Sequence, residues 1–498
     1  MFTRRALLLN SSAAAMSNLI ARASAQAAVQ RTRFSAASTE GKKMLRTYAQ
    51  AVKQMKAWGA QEKFSWQFQW YIHATPIPAA EMLNRVYPGG SGATYELALA
   101  TWYTCQAHLR QPEDYFLPWH RLYVMAFEQI IRDVTHDQDF TLPYWDYTSP
   151  ASYAIPEEFQ TRNSRDPTYS SLFVSNRNKD DGVQYADVNA GAPLNKYLTG
   201  SANFLVLPPL KRVSYSSFCS QLDGNLHGAV HVFTGDATNM GTVPTAANDP
   251  VFWLHHCNID RIWAAWSASG GKTPTSTNGI NWSDTYFGFP TSKDDKPERT
   301  AISAIADISK LPYKYDSLPG VPTGVAPGLA EAQMEVVQKS ISPRAEATAS
   351  AGAAPSPPIS LGAAPSRVPL AATSNQNRLS GLVPGLGEAR ITLLLKDVQA
   401  RADPNTVYQI FLDLPENATP ELKEQHYAGL LNFFGVAPPP GRDALGGRDV
   451  EIDVTEVVKR LQAKAALQDE SSVTLIPLRS PSEASSPTID GGIALLRH

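Results

Sequence analysis

The stretch Asp249-Pro250-Val251-Phe252-Trp253-Leu254-His255-His256-Cys257-Asn258-Ile259-Asp260-Arg261 decides how this sequence reads. Pro250 suits the first turn of a helix, where an N–H has no partner anyway, and Asp249 is a fitting cap before it. From there His256, Ile259, Trp263 and Trp266 recur at helical spacing, so one aromatic face carries an imidazole. Upstream, His227 and His231 form H-x-x-x-H, which on a helix places two imidazoles on one face, one turn apart. Farther back, Phe116-Leu117-Pro118-Trp119-His120-Arg121 opens another aromatic helix. His108 precedes that helix by a loop, and Trp66, Trp70 and His73 share a helical stripe. A single histidine on an apolar face is ordinarily a hydrogen-bonded core residue. Here six of the ten histidines gather on Trp-rich helices with no acidic ligand candidate among them. All-imidazole donors suit copper, zinc or iron and disfavour Mg and Ca. The H-x-x-x-H pair also lacks the Glu of the zinc-protease H-E-x-x-H pattern.

Working outward, the chain has 498 residues, more than the ~100–200 of one ordinary domain, so two folded units with connecting material are expected. At 43% apolar and 18% charged it can bury a sizeable core. Lys+Arg 44 against Asp+Glu 46 lacks the basic excess of a nucleic-acid binder. No apolar run reaches the roughly 18 residues of a membrane span. Three cysteines are too few for a disulfide framework. Residues 1–27 read as an export signal: Arg4-Arg5, a mild apolar stretch, then small residues. The paired arginines point to the twin-arginine type, hence to a periplasmic or secreted protein, with an ordinary secretory signal as the alternative. Residues 28–318 form the aromatic, mainly helical unit, and all ten Trp lie between Trp58 and Trp282. Residues 319–386 have a linker composition, with six Pro and eight Ala in residues 341–370. Residues 387–498 read as a small β-sandwich, with strands expected at 389–395, 407–414, 450–454 and 473–478 and a helix within 454–467.

His227-x-x-x-His231 followed by residues 248–256 and Asn258-Ile259-Asp260-Arg261 resembles the copper B motif of the tyrosinase and polyphenol oxidase family. Residues 116–121, with Glu128 beyond them, resemble its copper A motif, and Tyr313-Lys314-Tyr315 resembles the Tyr-x-Tyr motif that closes the catalytic domain. The trailing β-unit resembles, more loosely, that of long latent polyphenol oxidases. The resemblance implies a four-helix-bundle core holding two copper ions. Copper A would be bound by His73, His108 and His120, and copper B by His227, His231 and His256, with His255 a structural neighbour. It implies oxidation of catechols to o-quinones with dioxygen as co-substrate. Phe252 should pack beside the imidazoles, and Asp260 could orient them or pair with Arg261.

Two departures stand out. His108 to His120 is a step of twelve where the family has about nine, and Gln111 holds the usual place. Gly228 follows His227 where hydroxylating members often carry Asn, so diphenols should be favoured over monophenols, with Asp223 a partial substitute. Cys105 lies three residues before His108. Relatives with a spacing of two form a thioether there, so a Cys105–His108 thioether and a free buried thiol are both open readings. Cys219 and Cys257 could pair or stay buried. The C-terminal unit, on a Pro/Ala-rich tether offering Arg344 and Arg367 to proteases, is expected to act as an intramolecular cap. Competing readings are an o-aminophenol oxidase, a hemocyanin-like oxygen carrier and a mononuclear zinc hydrolase.

Overall fold

The computed structural model describes residues 30–106, 114–198, 214–276, 281–319, 357–370, 390–438, 447–468 and 471–497. Helix α1, Thr39–Ala57, starts where the Ser38 hydroxyl accepts from Gly41 N, and it buries Leu45, Tyr48, Val52 and Met55. Helix α2, Trp66–His73, is capped in the same way by Ser65 and ends on its histidine. Helix α3, Phe116–Thr135, stops where His136 turns left-handed at φ 57°. Helix α4, Tyr215–Gln221, runs into a π-helical turn, Leu222–His227, and then into α5, Gly228–Thr234. Helix α6 is Val251–Ala268, and every residue from Val251 to Trp266 is buried. A helix buried on every side sits at the centre of its domain, and its polar members must find partners there. It packs along α3, with Phe127 stacked on Trp253 at 3.5 Å between ring centroids.

Strand β1, Arg31–Arg33, completes this helical domain from far away in sequence. It pairs in parallel with β4, Tyr313–Tyr315, after the hairpin of β2, Tyr286–Phe289, and β3, Glu298–Ala301. The pairing drives Arg33 into the core, where it binds Glu128 of α3 at 2.6 Å and Asp260 of α6 at 2.9 Å. Asp260 also accepts from Arg121 at 2.5 Å, Tyr313 Oη at 2.5 Å and Tyr315 Oη at 2.6 Å. Burial pushes its carboxyl up, but Arg121 and Arg33 hold it below the usual carboxylate range. Asp260 therefore neither orients an imidazole nor pairs with Arg261, which binds Asp146 instead. Two buried guanidiniums on its own face of α6 capture it, and its work is to tie α6 to α3 and to both strands.

The C-terminal unit is a two-sheet sandwich. One sheet has the order β10-β7-β12-β5, with β13 also on β7: β5 Ile359–Ser360, β7 Ile391–Gln399, β10 Arg448–Asp453, β12 Thr488–Ile489, β13 Ile493–Arg497. The other has the order β6-β11-β8-β9: β6 Ser366–Pro369, β8 Tyr408–Leu412, β9 Tyr427–Leu431, β11 Ser472–Pro477. Between them lies an aliphatic core that includes Leu393, Leu395, Ile410, Leu412, Val450 and Leu475. Helix Thr455–Ala463 follows β10.

The expected linker of residues 319–386 needs correction, because β5 and β6 lie inside it and belong to the sandwich. Proline-rich composition does not exclude strands at a sheet edge, and both are edge strands. Arg367 is accordingly part of β6, paired with Thr474, its guanidinium 3.2 Å from Leu414 O, and it is not an open cleavage site. Arg344 and the expected export signal of residues 1–27 lie outside the described residues. Among the described residues no helix is long and apolar enough to cross a membrane.

The sandwich sits on the helical domain through a few polar contacts and a small apolar patch. Glu451 accepts from Ser217 Oγ at 2.5 Å, and its backbone oxygen accepts from Asn225 Nδ2 at 2.7 Å. Arg479 pairs with Asp181, and Val407, Leu430 and Phe434 join the helical core.

Candidate metal centre

Four imidazoles on three segments converge under the sandwich. His227 and His231 stand with ring centroids 4.6 Å apart, and His255 and His256 of α6 complete a fully buried group. A second buried group joins His73 of α2, His120 of α3 and Cys105. The two groups touch: the His120 ring stacks on His256 at 4.3 Å and 11°. His108, and with it the Cys105–His108 thioether, lies outside the described residues; Cys105 Sγ is 3.7 Å from His120 Nε2. Cys219 and Cys257 are free and buried, so neither forms a disulfide.

The backbone orients these rings. His73 Nδ1 meets Val243 O at 3.1 Å, His120 Nδ1 meets Phe116 O at 2.8 Å, and His231 Nδ1 meets Met240 O at 2.8 Å. His227 Nδ1 lies 3.0 Å from Asp223 Oδ1. With Nδ1 engaged, Nε2 is the nitrogen through which each ring can bind a metal. The π-helical turn before His227 is the local irregularity that lets Asp223 face this ring, and such turns recur at functional sites. Phe252, one turn before His256 on α6, wedges between the groups, 4.2 Å from His256 and 5.0 Å from His73.

Burial holds His73 down to about 3 and pushes His120, His231, His255 and His256 well below the ordinary imidazole range. These rings are neutral, as ligands must be. His231 Nε2 and both nitrogens of His256 and His255 are buried with no hydrogen-bond partner among the described residues. Buried polar atoms are ordinarily satisfied, so orphaned imidazole nitrogens at one point fit a bound metal. The donor set, imidazoles with one thiol and no inward carboxylate, fits copper.

Two residues of the sandwich reach this centre, and sequence reasoning missed both. Phe434 lies flat on His231 at 4.0 Å and 9°, and its edge meets His227 at 5.4 Å. Asn432, buried, donates from Nδ2 to Gly224 O at 2.7 Å. A Cβ on Gly228 would lie 2.3 Å from Asn432 Oδ1, so this glycine is the space in which Asn432 sits. The one available signal was the adjacent pair Phe433-Phe434, in a unit whose other aromatic residues, Tyr408, Phe411 and Tyr427, stand singly. A cavity of about 300 Å³ opens beside Phe434 between Val243-Pro244 and Arg401.

Comparison with known proteins agrees with this geometry. Residues 63–269 match the family model for the common central domain of tyrosinase, and residues 349–497 match a domain of unknown function, DUF7868. The chain is 27% identical over 455 residues to tyrosinase HcTyr1 of Hahella sp. (strain CCB-MM4), covering 86% of this chain and 92% of that protein. It is 28% identical over 273 residues to a chloroplastic polyphenol oxidase of Malus domestica, spanning 46% of that protein's length. Among solved structures, latent apple tyrosinase superposes with a TM-score of 0.61 at 19% identity, covering 94% of this chain and 97% of that one. Both domains, helical and β-rich, are shared in that fold.

Proposed function

The chain belongs to the tyrosinase and polyphenol oxidase family of type 3 copper oxidoreductases, and from that premise we propose an o-diphenol oxidase held latent by its own C-terminal domain. The observation that carries the reading is the stacking of His120 of one imidazole group on His256 of the other. Two metals held by these groups would be neighbours facing one substrate. Copper A would be held by His73, His120 and His108, and copper B by His227, His231 and His256. When bound, the copper pair would supply the electron exchange by which two catechols become two o-quinones, losing two electrons each, while one dioxygen takes up the four electrons and four protons and becomes two waters.

The chain's own residues do the rest. Carbonyls of Val243, Phe116 and Met240 fix the tautomer and direction of three ligands. His227 Nδ1 meets Asp223 O at 3.3 Å, so the backbone aims this ring as well. Phe252 fills the space between the groups, packed against His256 and His73. Monophenol hydroxylation asks for a group that helps deprotonate the incoming phenol, and Gly228 offers none. Catechols are therefore oxidised far faster than tyrosine. Turnover of tyrosine rivalling that of DOPA by copper-loaded, trypsin-treated protein would overturn this preference, and o-aminophenol belongs in the same assay. Reversible dioxygen absorbance without catechol turnover would favour a carrier instead.

Latency is supported by Phe434, which covers the face of His231 that an incoming phenol ring would need. The uncut chain is then nearly inactive, and cleavage between the domains, ahead of Ile359, raises catechol oxidation several-fold. Equal activity per copper before and after cleavage would defeat the idea. Export by the paired arginines of the first residues is part of the same proposal, tested by replacing Arg4 and Arg5 with Lys and following the protein between cell fractions.

A further inference from the structure

The chain between the end of α5 and the start of α6 serves both metal groups. His231 Nδ1 meets Met240 O at 2.8 Å, and three residues on, Val243 O meets His73 Nδ1 at 3.1 Å. Pro244 O then accepts from Trp70 Nε1 at 2.8 Å, and Asn248 O accepts from Trp66 Nε1 at 3.1 Å. The stripe Trp66, Trp70, His73 of α2 therefore lies along this one segment. It ends at Asp249, whose carboxylate accepts from Val251 N at 3.0 Å at the head of α6. Arg177 pins that end, gripping Asp249 through two bonds of 2.7 Å. A single stretch of backbone thus aims one ligand of each group and leads into the helix that carries His256.

The other end is held by one buried side chain, Asn239. Its Oδ1 accepts from Asp236 N at 3.1 Å and Met240 N at 2.6 Å. Its Nδ2 donates to Asp236 Oδ1 at 3.1 Å and Asn176 O at 2.9 Å. Gly235 leaves room for it, since a Cβ there would run into Asn239 Oδ1. Without this carboxamide, two backbone N–H groups and a carbonyl lose a buried partner, at a cost that favours a shift of the Met240 peptide. Only Gly241 and Thr242 separate that peptide from Val243, which opens the short helical turn Val243–Ala246. A shift at Met240 is therefore passed on to the carbonyl that aims His73. We propose that Asn239 is a positioning residue for both metal groups, setting His231 through Met240 and His73 through the same turn. This rests on the reading that the two groups hold copper.

The test titrates the metal-free, full-length chain with Cu(I) in competition with a chelating dye. The wild-type chain should take up two Cu(I), and His256→Ala one, held by the group of His73. Adding Asn239→Ala to His256→Ala should weaken that remaining site about tenfold, the loss expected when a ligand's outer support is disturbed. Asn178→Ala in the same background is the control for mere loosening. It removes the bond from Asn178 Nδ2 to Val232 O at 2.7 Å and spares the turn, so the site should keep its affinity. An unchanged site in the Asn239 variant overturns the proposal, because His73 is then aimed by the tryptophans of α2 alone. Equal weakening in both variants overturns it too, as general loosening. Where circular dichroism shows that Asn239→Ala does not fold, Asn239→Ser keeps an oxygen beside the backbone N–H groups, and the same comparison with Asn178→Ala decides. Uptake of fewer than two Cu(I) by the wild-type chain defeats the dicopper reading instead, whatever Asn239 does.

Discussion

The helical domain and the β-sandwich meet at His231 and are built on opposite terms. The helical side is closed by charge: Arg33, Arg121, Glu128 and Asp260 are buried together, and each leaves an uncompensated ion if another is removed. Its aromatic rings interlock from Phe127 through Trp253 to Tyr123. The sandwich has an aliphatic core of its own and touches its neighbour through Glu451, Asn432, Arg479 and a small apolar patch around Phe434. The half that gathers the imidazoles is locked by buried charge, while the sandwich is complete in itself and lightly attached.

The contrast can be broken at several points. His256→Ala should abolish copper B occupancy and all oxidation, whereas His255→Ala should retain two coppers by elemental analysis; the reverse result would exchange the roles of these neighbours. Arg33→Ala leaves Glu128 and Asp260 short of a buried partner and should cost about 3–5 kcal/mol, read from urea unfolding of the metal-free protein. A loss within ~1 kcal/mol, the range of an exposed pair, would put the closing charge elsewhere.

Acid should act on the helical side first. His73 has a folded value of about 3 against an ordinary 6.5, so between these limits the unfolded chain binds the extra proton. Stability of the metal-free protein should therefore fall as pH drops from about 6.5 toward 3, followed by thermal unfolding. A midpoint flat across that window would mean that His73 is not buried as neutral imidazole. On the light side of the contrast, Gly228→Ala drives a Cβ into Asn432 and should raise oxidation by the uncut chain several-fold, with Asn432→Gly in the same chain restoring latency. Glu451→Ala removes one seating contact worth about 1 kcal/mol and should raise it less; a larger effect than Gly228→Ala would move the main lock to Glu451.

Much of the helical half was legible in the sequence, because imidazole and Trp positions repeat at helical spacing and Pro250 marks the entry to α6. His227, His231 and His256 could be placed together for that reason. The carbonyls of Val243 and Met240 that aim the rings carry no sequence signal, since any residue offers a carbonyl. Asp260 looked equally suited to an imidazole or to Arg261, and only the return of β1 and β4 revealed Arg33 beside it. In the sandwich, β7, β8, β10 and β11 follow from their apolar runs. Edge strands β5 and β6 did not, because proline and alanine hid them, and β9, β12 and β13 are too short or too mixed to stand out. Asn432 and Phe434 act across the domain boundary, where local pattern carries no information.

The pairing of β1 with β4 also governs when this molecule can fold. Arg31 lies against Tyr313 and Arg33 against Tyr315, so the first strand of the helical domain waits for almost its last residues. On the ribosome, α1, α3 and α6 emerge before β4, and until then Glu128 and Asp260 lack the strand pairing that carries Arg33 between them. Such long-range closure slows folding and leaves a nascent chain open to aggregation. A fragment ending before Tyr313 should remain a collapsed intermediate however many of its histidines it contains.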